Sequence, residues 1–237
     1  MRNKIGLIIV FLIGFVNFSY SQGKGYLGGF QFKGMIGSGL FNNGDEIRSI
    51  DSVSIKNSQN FGYVFGMTIR KHFGKSLAIE SGLRFVQRNY TTQIDSIIGG
   101  TYSGKIDYRV VAYEIPLKAM VKLRAADNSF FSVSLGVQMD LYPSDIFASN
   151  YDWQVQVTRK SWIQGSFLAN AGWEINPKEL GTFYVGASYN QPFGDPLGLN
   201  VGRYNTPFAE SNILLNGTYI SLDFRYYFQV SKNQSPN

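Results

Sequence analysis

Apolar and polar side chains alternate with a period of two through most of this chain. From Gly217 to Phe228, one parity holds Ile220, Leu222, Phe224, Tyr226 and Phe228, and the other Ser221, Asp223, Arg225 and Tyr227. Successive side chains on a pleated strand point to opposite faces, so this period predicts a β-strand. Seven further segments read the same way. The first, Tyr26 to about Leu40, sets Tyr26, Phe30, Phe32 and Ile36 against Gln31, Lys33 and Met35; the second sets Phe61, Tyr63, Phe65, Met67 and Ile69 against Gly62, Val64, Gly66, Thr68 and Arg70. The third opposes Leu77, Ile79, Leu83 and Phe85 to Glu80, Gly82, Arg84 and Arg88. The fourth, Tyr108 to Leu123, opposes Tyr113, Ile115, Leu117 and Val121 to Glu114, Lys118, Met120 and Lys122. Pro116 lies inside this fourth strand without an N–H to donate, and a local bulge is expected there. The fifth pairs Phe131, Val133, Leu135 and Val137 with Ser132, Ser134, Gln138 and Asp140. The sixth pairs Phe167, Ala169, Ala171 and Trp173 with Ser166, Asn170 and Glu174, and the seventh Phe183, Val185, Ala187 and Tyr189 with Tyr184, Ser188 and Asn190.

The connections between these segments alternate in length. Short turns fall at Phe73–Ser76, Ala125–Asn128 and Asn176–Glu179. Long connections cover Asn42–Asn60, the region around Ile97–Tyr102, Tyr142–Asp152 and Phe193–Asn216. Strands of ten or so residues match the roughly 9–11 that a tilted strand needs to cross a bilayer. Short turns on one side and long loops on the other are the habit of bacterial outer-membrane barrels. The chain therefore reads as all-β: an eight-stranded antiparallel up-and-down transmembrane β-barrel, with both mature termini in the periplasm of a gram-negative bacterium.

In a soluble barrel the apolar parity would turn inward. Here it is the more continuous one, while the other carries charges of both signs, which suits lipid outside and a polar interior. The inward set comprises Lys33, Arg70, Glu80, Arg84, Arg88, Glu114, Lys118, Lys122, Asp140, Glu174, Asp223 and Arg225. Eight strands leave room only for side chains, so these groups are expected to form a near-matched ion-paired plug rather than a pore. Aromatic girdles are expected at both headgroup levels. Tyr26, Phe73, Trp173, Phe183 and Phe228 would form the belt at the short-turn end, and Tyr63, Tyr113, Trp162 and Tyr189 the belt at the long-loop end.

Composition changes this picture little. The charged fraction is 16% and there is no cysteine, so disulfides and thiolate metal sites are excluded. Residues 1–21 have the form of a secretion signal: Arg2 and Lys4, an apolar run from Ile5 to Val16, then Ser19-Tyr20-Ser21. Residues 22–229 would form the barrel and 230–237 a short periplasmic tail. Removal of Arg2 and Lys4 reduces the formal charge from +6, and without basic runs no nucleic-acid partner is expected.

Some alternation runs on into the long loops. Val53 and Ile55 extend the outward parity of the second strand and Val155 and Val157 that of the sixth, which suggests a sheet projecting above the membrane with Tyr142, Phe147, Tyr151 and Trp153 near its rim. Such a projection could meet a protein partner or surface glycan; packing against lipopolysaccharide is the plainer alternative. Candidate chemistry is sparse. The single histidine, His72, falls at the short-turn end, away from the outer leaflet where a lipid-modifying Ser–His pair would work. Asn42–Glu46 carries calcium-compatible oxygens without the spacing of a calcium loop. No cofactor or metal is expected, and no enzymatic activity.

The stretch Tyr113-Glu114-Ile115-Pro116-Leu117-Lys118 resembles the Y-x-E-I-P-L strand of the PorT-like outer-membrane β-barrel family, although here Tyr113 directly precedes Glu114. Gly82-Leu83-Arg84-Phe85 and the aromatic-ended closing strand fit the same resemblance. It implies a barrel inserted by the outer-membrane assembly machinery, in bacteria with type IX secretion. Lipid and lipopolysaccharide are then the constant surroundings, and a surface, secretion or gliding protein the expected partner. A small porin or transporter is the competing reading, with a surface lipid-modifying enzyme behind it.

Overall fold

The computed structural model describes residues 26–37, 45–50, 53–74, 76–96, 103–177, 180–203 and 209–229; for 45–50, 53, 96, 209–212 and 229 the description is of the backbone. The signal segment, the tail 230–237 and the tip 97–102 lie outside it, as does most of the oxygen-rich run Asn42–Glu46. Fourteen strands are present among the described residues. Eight of them close into a ring: β1 (Tyr26–Gly37), β4 (Gly62–Phe73), β5 (Leu77–Ser96), β6 (Ser103–Ala126), β7 (Ser129–Leu141), β10 (Ile163–Ile175), β11 (Thr182–Pro192) and β14 (Tyr219–Gln229). Every neighbouring pair is antiparallel, and β14 returns to pair with β1.

The stagger of the ring follows from its register. The partners run from Tyr219 through Asn190, Leu168, Gly136, Lys118, Glu80, Arg70 and Leu27 and come back to β14 at Gln229, ten residues from the start. Such an offset is what tilts the strands of a closed barrel. The short turns use left-handed backbone at Gly74 (φ 74°) and Asn128 (φ 61°), conformations that glycine and asparagine tolerate.

The two faces divide by parity. Outward positions are large and apolar: Phe30, Phe32, Phe65, Met67, Leu83, Leu117, Leu135, Val137, Val185, Leu222 and Phe224 are all exposed. Inward positions are buried and largely polar. Pro116 causes no bulge. The register of β6 against β7 passes through it unshifted, and the β5–β6 ladder keeps the same offset on both sides of it. The missing donor faces Gly82 at a point where the ladder skips two pairs, and the Pro116 carbonyl accepts from Ser81 Oγ at 2.8 Å.

The long connections are more ordered than loops. Asn42–Asn60, read as a loop, contains the hairpin β2 (Asp45–Ile50) and β3 (Val53–Gln59), and β3 pairs with the upper part of β5. The connection after β7 contains β8 (Ile146–Ser149) and β9 (Trp153–Arg159). The one before β14 contains β12 (Leu197–Arg203) and β13 (Ala209–Leu215). These four make a separate sheet in the order β13-β12-β9-β8. Because β5 and β6 are 20 and 24 residues long, at about 3.4 Å per residue they rise well beyond a bilayer crossing and carry the hairpin up opposite the second sheet.

Ile55, Val155 and Val157, read as continuing the lipid-facing parity, are buried instead. The chain leaves strand geometry at Asn60 and again at Lys160–Ser161. The alternation therefore restarts with the opposite sense, and these side chains turn in between the sheets. They join Ile94, Ile106, Leu197, Leu199, Val201, Ile213 and Leu215 in one apolar cluster continuous with Met35, Val64, Val86, Val110 and Ala112 at the top of the ring. Tyr90 and Tyr108 stack within it at 5.5 Å. Of the aromatics placed at the rim, Phe147 and Tyr151 are exposed, Trp153 is half-buried against the cluster, and Tyr142 is buried in it.

Candidate functional site: the charged barrel interior

Below the apolar cluster the ring interior is polar, and it brings together all twelve charged residues of the inward parity. All are buried. Glu80 is the hub of the lower part. Its Oε1 lies 2.6 Å from Lys118 Nζ and 3.2 Å from Arg225 Nη1, while its Oε2 is 2.9 Å from Arg70 Nη2 and accepts the Tyr227 hydroxyl at 2.6 Å. Arg70 reaches on to Glu174 at 2.5 Å, and Lys122 pairs with the other oxygen of Glu174. On the opposite side Arg225 bonds Asp223 at 2.6 Å, and Asp223 also holds Lys33 at 3.1 Å. Ser188 and Ser221 fill the remaining positions around Asp223.

A second cluster sits nearer the outer end. Glu114 lies between Arg88 at 3.3 Å and Arg84 at 3.6 Å and accepts the Tyr219 hydroxyl at 3.0 Å. Arg84 donates to Gln138 at 3.2 Å, whose amide donates to Asp140 at 2.6 Å; Ser166 completes the Asp140 shell. Arg88 lies between the rings of Tyr142 and Tyr219, 5.8 and 5.4 Å from their centres.

Glycines make room for one of the long inward side chains. The Tyr184 hydroxyl crosses the β10–β11 pair at Gly172 and Gly186, where an added Cβ would come within 2.4 and 2.1 Å of it. The hydroxyl donates to Asn170 at 2.8 Å.

The partners that charge patterning alone did not single out are uncharged: Tyr142, Tyr184, Tyr219, Tyr227, Gln138, Ser166 and Ser188. Their signal was their parity. Each occupies an inward position, where a tyrosine sets its hydroxyl among charges rather than among lipid headgroups.

The outer face carries the aromatic positions at two levels. At the short-turn end Phe183 lies 5.1 Å from Tyr226, Phe228 5.9 Å from Phe30 and Trp173 6.4 Å from Phe131, with Tyr26 and Phe73 on either side of Lys71. At the long-loop end Tyr63, Phe85 and Tyr113 form a row with spacings of 6.2 and 6.0 Å, and Trp162 and Tyr189 stand at the same end of their strands. His72 is half-buried at the short-turn end, opposite Ala78 on β5.

A family model described as outer membrane protein beta-barrel domain matches residues 20–198. The chain belongs to that family. It is thus an outer-membrane β-barrel of a gram-negative envelope. Among solved structures the outer membrane protein OprG from Pseudomonas aeruginosa is similar, at 14% identity and a TM-score of 0.51, over 86% of this chain and 96% of OprG. The beta domain of the Bordetella autotransporter BrkA is also similar, at 13% identity and a TM-score of 0.32, over 86% of this chain and 99% of that domain. No curated protein matches. The OprG likeness agrees with the outer-membrane barrel in fold. In this barrel the charged network lies between the two aromatic levels, and the two-sheet projection stands beyond the long-loop level.

Proposed function

We propose that this outer-membrane barrel is a closed, non-enzymatic anchor that holds a rigid two-sheet projection at the cell surface for a protein partner. The observation that carries this reading is the vertical order of the interior: an ion-paired network within the ring, then an apolar cluster that ties the ring to the outer sheets. A solute path would need water along the axis, and here the first layer is occupied by paired side chains and the second by hydrocarbon. The projection rests on the barrel through that continuous cluster, so it is positioned as one body with it. Both mature ends lie in the periplasm on this reading, because β1 starts and β14 finishes at the short-turn end.

The resemblance of Tyr113–Lys118 to the PorT-like strand supports a partner from type IX secretion or gliding. Its glutamate, Glu114, is the carboxylate shared by Arg84, Arg88 and Tyr219, which gives that position a physical task in closing the outer half of the lumen. His72, at the periplasmic end on this reading, lies away from the outer leaflet where surface lipid chemistry would work.

Planar-bilayer recording on the purified protein tests the closure. No steady single-channel current is expected; a steady conductance would replace this reading with the small porin. Affinity purification from detergent-solubilised outer membranes tests the partner. A secretion or motility component is expected to co-purify, and to be lost when exposed Phe147 and Tyr151 are both changed to serine.

A further inference from the structure

We infer that the lower barrel interior contains a site for a small inorganic anion, of the halide class, between Gln31 and Arg225. Three observations converge on this place.

The first is charge. Among the described residues seven buried cations face five buried carboxylates, and the imbalance is local. In the outer cluster Arg84 and Arg88 are matched by Glu114 and Asp140. In the lower cluster Lys33, Arg70, Lys118, Lys122 and Arg225 share only Glu80, Glu174 and Asp223. An excess of buried positive charge in a medium of low polarity is strongly unfavourable unless a counter-charge enters or a proton leaves.

The second is unused hydrogen-bonding capacity. Both polar atoms of the Gln31 side chain and the Nε of Arg225 have no partner, although Gln31 is only 2% exposed. Arg225 spends its two terminal nitrogens on Glu80 and Asp223, which leaves Nε as a charged donor with nothing to receive it. Native interiors rarely leave such groups bare, and a water or ion is the usual resolution.

The third is placement. Gln31 and Arg225 are direct cross-strand neighbours on β1 and β14, and both side chains point into the lumen. On the other flank of Gln31 stands Gly66, which has no side chain to offer a bond. Lys33, two residues along β1 on the same face, adds a further cation. A water molecule would satisfy the amide but would leave the excess charge untouched. A compact anion accepts from both open donors, Gln31 Nε2 and Arg225 Nε, and offsets the excess charge as well, since charge-assisted N–H donors are the strong ones.

The site is enclosed, so the anion is taken up as the ring closes. Protein folded and crystallised from bromide, with anomalous scattering recorded above the bromine edge, reads the site directly. A bromide peak within hydrogen-bond reach of Gln31 Nε2 and Arg225 Nε is expected. A lower lumen without one would mean that the excess is removed by loss of a proton instead, and would overturn the proposal. Thermal unfolding in detergent adds a second measurement, in chloride against gluconate at equal ionic strength. A higher Tm in chloride is expected, with the larger part of that difference lost in Gln31→Leu, which keeps every ion pair. Equal Tm values in the two salts for the unmodified protein would overturn it as well.

Discussion

Glu80 shows how much can depend on one residue. Its two oxygens receive Lys118, Arg225, Arg70 and the Tyr227 hydroxyl, so Glu80→Gln removes the charge on which three cations converge. Leaving buried charge without its partner costs about 3–5 kcal/mol, and a loss of that order is expected in urea unfolding followed by heat-modifiable gel mobility. Glu80→Gln together with Lys118→Met removes one charge of each sign and is expected to recover much of the loss. Gly186 depends on shape rather than charge. A methyl there would meet the Tyr184 hydroxyl, 2.1 Å from the Cβ position. Gly186→Ala is therefore expected to cost about 1–3 kcal/mol as an overpacked site, and Gly186→Ala/Tyr184→Phe to recover little of it, because the Ala171 carbonyl oxygen at 2.5 Å and the Tyr184 ring carbon at 2.6 Å still stand against the methyl.

The strands behave as two groups, and this decides what could be read from residues alone. Ring strands alternate against lipid over ten or more residues, and lipid is a uniform partner, so Phe65, Leu83, Leu135 and Phe224 announce their face without knowledge of any neighbour. The outer strands are short and are covered by another sheet. Nothing in Trp153–Arg159 or Leu197–Arg203 taken alone indicates that they meet, because their pairing follows from the ring, which sets β10, the strand after β9, beside β11, the strand before β12. Carrying parity across Asn60 failed for Ile55 because the register against β5 slips there by one residue, from Gln59 opposite Tyr90 to Tyr63 opposite Gln87. Carrying it across Lys160–Ser161 failed for Val155 and Val157 because the chain passes there from the outer sheet to the ring. Pro116 was legible as a missing donor, but its accommodation by Gly82 and Ser81 depends on the strand opposite. Within the interior the charged residues were legible through parity, whereas the pairings around Glu80 and Glu114 required the register. At this scale the outer sheets should fail independently of the ring. Leu199→Ala deletes a fully buried side chain from the apolar cluster and is expected to cost about 2–5 kcal/mol. Protease added to intact cells should then cut the outer connections while the ring keeps its heat-modifiable mobility.

The molecule as a whole has a direction: short turns at one end, the two-sheet projection at the other. Tyr151 is 99% exposed on the projection and Leu180 65% exposed at the opposite end. In a chain with no cysteine of its own, Tyr151→Cys is expected to react with a membrane-impermeant maleimide on intact cells, and Leu180→Cys only after the envelope is opened. The reverse pattern would invert the barrel and place both ends outside. Closure belongs to this scale too, since no single strand seals the lumen: β14 brings Asp223 and Arg225, β5 brings Glu80, and β10 brings Glu174.

The meeting of β1 with β14 has a bearing on biogenesis. Lys33 stands directly opposite Asp223 where the two ends of the chain join. If the final strand docked one position out of step, every side chain on it would reverse: Asp223 and Arg225 would be thrust into acyl chains, and Phe224 lodged among ions. The error would be too unfavourable to persist, so a mis-threaded product proofreads itself, and the salt link at the join works as a latch that catches only in the correct notch.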